Sequence, residues 1–195
     1  MRGRRRQAGE RLPLPMRSDR GGHSGRIAAA VALLAAPGLA QTPALQEGGT
    51  TAEFVDGTGK AVGKATMTPT PYGVLFALEV SGLPPSQWVA FHVHETGTCD
   101  PATHHDSAGG HFNPTGAEHG YRSAKGPHAG DMPNQWVGAD GVLRAQVFNQ
   151  AVTLDGGERG IMGRALMIHA KGDDYNSQPS GNAGDRLACA PIPAM

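Results

Sequence analysis

Outside its first forty residues the chain carries eight histidines. Six of them fall in one order with a carboxylate: His92-x-His94, His111, His119, His128 with Asp131 three positions on, and His169. Neutral imidazole is the commonest protein ligand for transition metals and suits copper and zinc. These seven groups exceed what one tetrahedral zinc takes and match the needs of two adjacent ions. His111, His119, His128 and Asp131 would make a closed four-ligand zinc site with no position left for water. His92, His94 and His169 would leave an incomplete, imidazole-rich site of the kind copper accepts. Each part alone has an ordinary explanation: a chance pair on a strand, solvated loop histidines, a satisfied core histidine. It is the joint arrangement that argues for metal.

Positioning these groups falls to short strands and long loops. The segments 51–55, 61–67, 73–80, 88–94, 134–138, 142–149, 163–170 and 186–192 mix β-branched and apolar residues and are separated by turns rich in Gly, Asp and Pro. No long amphipathic helix is evident. Eight short strands predict an all-β fold, a Greek-key β-sandwich or barrel. Along 88–94, Trp88, Ala90, His92 and His94 share one face, and Val89, Phe91 and Val93 share the other. The two histidines therefore point the same way. Segments 95–133 and 171–185 lack strand character, and long structureless loops in a compact domain are usually functional. The ligands lie in the first loop and beside the second.

Composition narrows the function classes. Residues 41–195 hold nine Lys and Arg against fifteen Asp and Glu, a formal net charge of −6, which argues against a nucleic-acid surface. Residues 1–40 carry eight Arg, and the apolar run Ile27–Ala36 is followed by Gly38-Leu39-Ala40. That run is about half the roughly 20 residues a membrane span needs, so a cleaved export signal is expected, with no membrane anchor afterwards. The leader is assigned to residues 1–40, with Met16 as an alternative start, and a short extension to 41–50. Export puts the chain in the periplasm or outside the cell. An even pair of cysteines there, Cys99 and Cys189, favours a disulfide over two buried thiols.

Phe91-His-Val-His-Glu95, Gly110-His-Phe-Asn-Pro114, His119-Gly120, His128-Ala-Gly-Asp131 and Gly181-Asn-Ala-Gly-Asp-Arg-Leu-Ala-Cys189 closely resemble copper/zinc superoxide dismutases of the bacterial exported type, over about residues 50–192. The domain is accordingly placed at 51–195. The resemblance implies copper ligands His92, His94, His111 and His169, and zinc ligands His111, His119, His128 and Asp131. His111 would bridge the ions. Asp173 would link His92 to His119, Arg186 would guide the substrate, and Cys99 and Cys189 would pair. The implied reaction turns two superoxide anions and two protons into dioxygen and hydrogen peroxide as copper cycles between Cu(II) and Cu(I). His111 would carry a proton, and one copper and one structural zinc would be bound per chain.

Three features depart from the commoner pattern. The spacing from His94 through Cys99 to His111 is unusual. Pro179 stands where many members carry a guiding lysine, leaving Lys171 as the candidate substitute. His104 and His105 are extra and are expected to be a solvated pair. A catalytically weak metal-binding or copper-carrier protein of the same fold is the alternative function. A zinc hydrolase fits poorly, since His94-Glu95 is not continued as H-E-x-x-H and lies on a strand. Oligomeric state, monomer or homodimer, stays open, with Trp88 and Trp136 readable as core or as interface.

Overall fold

The computed structural model describes residues 49–195. The expected leader, and all but the last two residues of the extension, lie outside the described residues. Nine strands follow in order: β1 Thr50–Asp56, β2 Ala61–Thr70, β3 Gly73–Val80, β4 Gln87–Val89, β5 Phe91–His94, β6 Gln135–Val137, β7 Leu143–Asn149, β8 Ala165–His169 and β9 Arg186–Pro191. The described residues contain two single-turn 3-10 helices and no α-helix.

Strand pairing is antiparallel throughout, in the order β4-β6-β7-β3-β2-β1-β9-β8-β5. The first hairpin is set by Asp56, whose Oδ1 accepts from the backbone N–H of Thr58 (2.8 Å) and of Lys60 (3.1 Å). Gly59 supplies the left-handed φ of 82° that this turn requires.

One expected strand is two. Residues 87–94 break at Ala90, because β4 pairs with β6 while β5 pairs with β8 at the opposite edge of the sheet. Ala90 donates its N–H to Lys171 O (2.8 Å) and accepts from the His169 N–H (3.0 Å). A single stretch of chain thus joins both edges and nearly closes a barrel, which leaves little unpaired edge for other chains. The other seven strands fall within three residues of their expected bounds.

The interior is filled by fully buried side chains that include Phe54, Met67, Phe76, Phe91, Leu143, Leu166 and Ile168. Phe76 and Phe91 meet edge to face at 6.2 Å. Phe91 lies under the histidine face, so truncating it to Ala costs about 3–5 kcal/mol and undermines β5 as well. Trp88 and Trp136 are not core residues. They meet edge to face at 5.3 Å on the outside, about half exposed.

Three long loops leave this frame. Two were expected; the third, 150–164, carries one isolated bridge between Thr153 and Gly160.

Candidate metal centre

β5 divides its side chains as its alternation requires. Phe91 and Val93 enter the core; His92 and His94 point the other way and are still buried, because loop 95–134 folds back over them. Phe112 N–H donates to Val93 O (2.8 Å), Val93 N–H to Gly130 O (2.9 Å), and Gly130 N–H to Phe112 O (2.8 Å). Backbones approach so closely that a Cβ on Gly130 would strike the Val93 carbonyl. The fold-back sets His111 opposite His94 and Asp131 opposite His92. From the far side, His169 ends β8 where the pairing with β9 slips by a residue.

Hydrogen bonds fix which nitrogen each ring offers. His94 Nδ1 donates to Gly109 O (2.9 Å) and His169 Nδ1 to Gly184 O (3.2 Å), so both turn an unprotonated Nε2 inward, 3.3 Å apart. His92 Nε2 donates to Asp173 Oδ2 (2.9 Å), which leaves Nδ1 as the free electron pair. That Nδ1 and His111 Nε2 are buried without any hydrogen-bond partner. Leaving such atoms unpaired is costly, and a soft or borderline metal ion is what an all-imidazole set satisfies. His92, His94, His111 and His169 each offer a ligand atom within 4.8 Å of the others.

The second group gathers on Asp131. Its Oδ1 lies 2.8 Å from His111 Nδ1, 3.1 Å from His119 Nδ1 and 3.4 Å from His128 Nδ1. These four residues also lie within mutual ligand distance. Asp131 Oδ2 accepts from the N–H groups of Gly120 (2.9 Å) and His128 (3.0 Å), and Tyr121 Oη donates to the Asp131 carbonyl (2.8 Å). His111 belongs to both groups, one ring nitrogen in each. Three imidazoles and one carboxylate suit tetrahedral zinc.

Asp173 ties the groups together, accepting from His92 Nε2 through Oδ2 and from His119 Nε2 through Oδ1 (3.0 Å). Its own orientation is set by Asn134, whose Oδ1 accepts from Asp173 N–H (2.7 Å) and whose Nδ2 donates to Asp173 O (2.9 Å). Gly181, at φ 68°, has to be glycine: a Cβ there would fall on Asp173 Oδ1, 2.7 Å from His119 Nε2. Gln178 grips the His119 backbone on both sides, accepting from its N–H (2.8 Å) and donating to its carbonyl (2.9 Å).

Electrostatics separate the two groups. Burial holds His92, His94 and His169 below the usual imidazole range, and burial with the neighbouring His92 brings His111 to about 4. At His119 burial also pulls downward, but the hydrogen bonds to Asp131 and Asp173 outweigh it and push the ring up to about 9. Burial raises both aspartates, yet their histidine partners hold each well below the usual carboxylate range.

Beside the first group lies a cavity of about 490 Å³ lined by His104, Asp106, Gly184, Asp185 and Arg186; Gly184 is the residue whose carbonyl holds His169 Nδ1. Arg186 donates to His105 O (2.7 Å) and Gly109 O (2.8 Å). A disulfide joins Cys99 to Cys189, three residues beyond Arg186. It pins the first loop to β9.

The family model for copper/zinc superoxide dismutase matches residues 61–192. The chain belongs to the copper/zinc superoxide dismutase family. The Cu-Zn superoxide dismutase 2 of Aquifex aeolicus is 49% identical over 145 residues, covering 72% of this chain and 84% of its own length. Among solved structures, a double mutant of a SOD-like protein from Bacillus subtilis superposes with a TM-score of 0.71 at 37% identity, covering 75% of this chain and 98% of that one. The Cu/Zn superoxide dismutase from Brucella abortus gives 0.62 at 30% identity, covering 73% and 98%.

As a family member the chain has brought together every residue singled out from sequence as ligand or linker, and its cysteines are paired. The solvated pair is corrected in part. His104 is exposed, but His105 is fully buried, because the two residues adopt successive left-handed conformations that turn the second ring inward. Asn134 and Gln178 were missed. A lone amide in a loop carries no spacing signal, and both act across 39 or more residues of chain.

Proposed function

We propose that this chain is an exported superoxide dismutase. Copper would be held by His92, His94, His111 and His169, and zinc by His111, His119, His128 and Asp131. The observation that carries the reading is His111: its Nδ1 lies 2.8 Å from Asp131 Oδ1, while its buried Nε2 has no partner. A ring so placed serves two ions at once.

Copper supplies a one-electron couple that zinc lacks. The chain's own residues do the rest. Arg186, on the cavity wall, meets the anionic substrate; its charge offsets the acidity of residues 41–195 and raises the encounter rate. Lys171, exposed with its stem beside Gly184, is a candidate second cation. Gly109 and Gly184 carbonyls and Asp173 fix the orientations of the His94, His169 and His92 rings. His111 Nε2, when not engaged by copper, would hold a proton and pass it on as hydrogen peroxide forms. Two superoxide anions and two protons give one dioxygen and one hydrogen peroxide.

A copper carrier of this fold is the weaker reading. Carriers present thiolate or thioether sulfur to Cu(I), and here both cysteines are in the disulfide. The disulfide also supports export, since such bonds persist in oxidising compartments. Metal analysis together with superoxide disappearance tests the function. One copper and one zinc per chain with fast turnover is expected; full metal content without turnover would favour the carrier. N-terminal sequencing of exported protein should begin within a few residues of Gln41.

A further inference from the structure

His105 is a buried histidine of the loop that Cys99 ties to β9, and it belongs to neither cluster of candidate metal ligands. The ring is fully buried and neither nitrogen has a hydrogen-bond partner. Its backbone, by contrast, is fully engaged. The N–H donates to Asp100 O (3.0 Å), and the carbonyl accepts from Ala108 N–H (3.0 Å) and from Arg186 Nη1 (2.7 Å). That carbonyl reaches the guanidinium only because His104 and His105 both sit in the left-handed region, at φ 51° and 63°. Such a conformation is strained for residues with side chains and persists where the surroundings over-determine it. Burial of the ring is one such determinant.

A neutral ring can occupy this place; a charged one cannot do so without penalty. An imidazolium would be desolvated, and the acceptor at hand, the Asp56 backbone, is not in bonding geometry with the ring. Burial has the largest effect and holds the ring below the usual imidazole range; the Asp56 backbone at the end of β1 pulls the other way, Arg186 also opposes protonation, and the charges of Asp56 and of Asp100 at the head of the loop favour it. Asp106 is exposed and lies against Arg186 Nε at 3.5 Å.

We propose that His105 is a positioning residue for Arg186: its neutral, buried ring keeps the disulfide loop closed on the guanidinium, and protonation in acid releases both. The inference rests on Arg186 guiding the anionic substrate.

The test compares metal-loaded parent, His105→Leu, His105→Asn and Arg186→Gln. For each, the second-order rate with superoxide is measured between about pH 5 and 8, alongside deuterium exchange of the amides of residues 100–110. Leu cannot be protonated, and Asn tolerates the left-handed region if Leu fails to fold. In the parent, the rate should fall about 10-fold toward acid, the low end of steering effects, while the loop amides lose protection. Both His105 variants should flatten the acid limb and the loss of protection together. An acid limb as steep in the His105 variants as in the parent, or loop protection independent of pH, would overturn the proposal. If Arg186→Gln matches the parent's rate at neutral pH, it is the guiding role of Arg186 that fails. If it is slow and the His105 variants still behave like the parent, the role of His105 alone fails.

Discussion

Arg186 and His94 are fastened to the same oxygen. The Gly109 carbonyl accepts from Arg186 Nη2 at 2.8 Å and from His94 Nδ1 at 2.9 Å. The group proposed to meet the substrate and a ring of the first candidate ligand cluster therefore share one fixed point, and neither moves without loosening the other.

Arg186→Gln removes the charge and keeps some hydrogen-bonding capacity toward that carbonyl. The expected result is a drop in the second-order rate of roughly 10- to 1,000-fold with metal content unchanged. Raising salt should slow the parent more than the variant, because screening sets in beyond about 10 Å at 0.1 M. Stopped-flow rates across ionic strength check this; a variant as fast as the parent at low salt removes Arg186 from the reaction.

His111→Ala and His104→Ala form a matched pair. His111 faces both clusters, so its loss should abolish most activity and change the copper spectrum. His104 lines only the cavity mouth and should change neither. Equal behaviour of the two variants would refute the two-metal assignment.

Asp173→Asn keeps the shape but cannot serve two imidazole donors as a carboxylate does. Affinity for metal should fall about 10- to 100-fold, the usual effect of losing a partner that orients ligands. Gly181→Ala should act in the same direction by pushing the carboxylate aside. Competition against a chelator of known affinity measures both; unchanged affinity in Asp173→Asn would mean that the loops alone hold the rings.

Cys189→Ser opens a bridge that spans 90 positions of chain. A stability loss of roughly 2–5 kcal/mol is expected by denaturant titration. Activity should fall further than stability alone explains, because the loop that carries His105 and Gly109 loses its tie to β9. Retention of full activity in folded variant would show that β5 and Arg186 hold the loop unaided.

That the candidate ligands gather in two groups was legible because two local rules point to it. Alternation along 91–94 places His92 and His94 on one face, and the run 111–131 holds three histidines and Asp131 in one loop. The break at Ala90 was not legible, since it follows from pairing with β6 and β8 at opposite edges of the sheet. Nor was the burial of His105: two adjacent histidines in a polar loop read as solvated unless their backbone angles are known. Asn134 and Gln178 show the same limit. What they hold lies far along the chain, and no periodicity marks them.

Metal removal makes the site's electrostatics measurable. In metal-free protein, His92, His94, His111 and His169 stay neutral in the fold at pH values where the unfolded chain protonates them. The unfolded state then binds more protons, so stability rises with pH, for His111 between about 4 and 6.5. Asp131 and Asp173 act in the same direction at lower pH, because their folded forms stay ionised below the usual 3.8. His119 has the opposite sign. Raised to about 9, it contributes stability that is complete below 6.5 and is lost as pH climbs through about 9. Stability of the metal-free protein should therefore peak near pH 6.5, seen as the highest denaturation midpoint in the presence of chelator. Zinc should erase the upper limb. Zinc held by His119 would displace a proton from that ring, and binding that releases a proton tightens as pH rises. A midpoint that climbs steadily to about pH 9 without metal would show that His119 is not held protonated between Asp131 and Asp173.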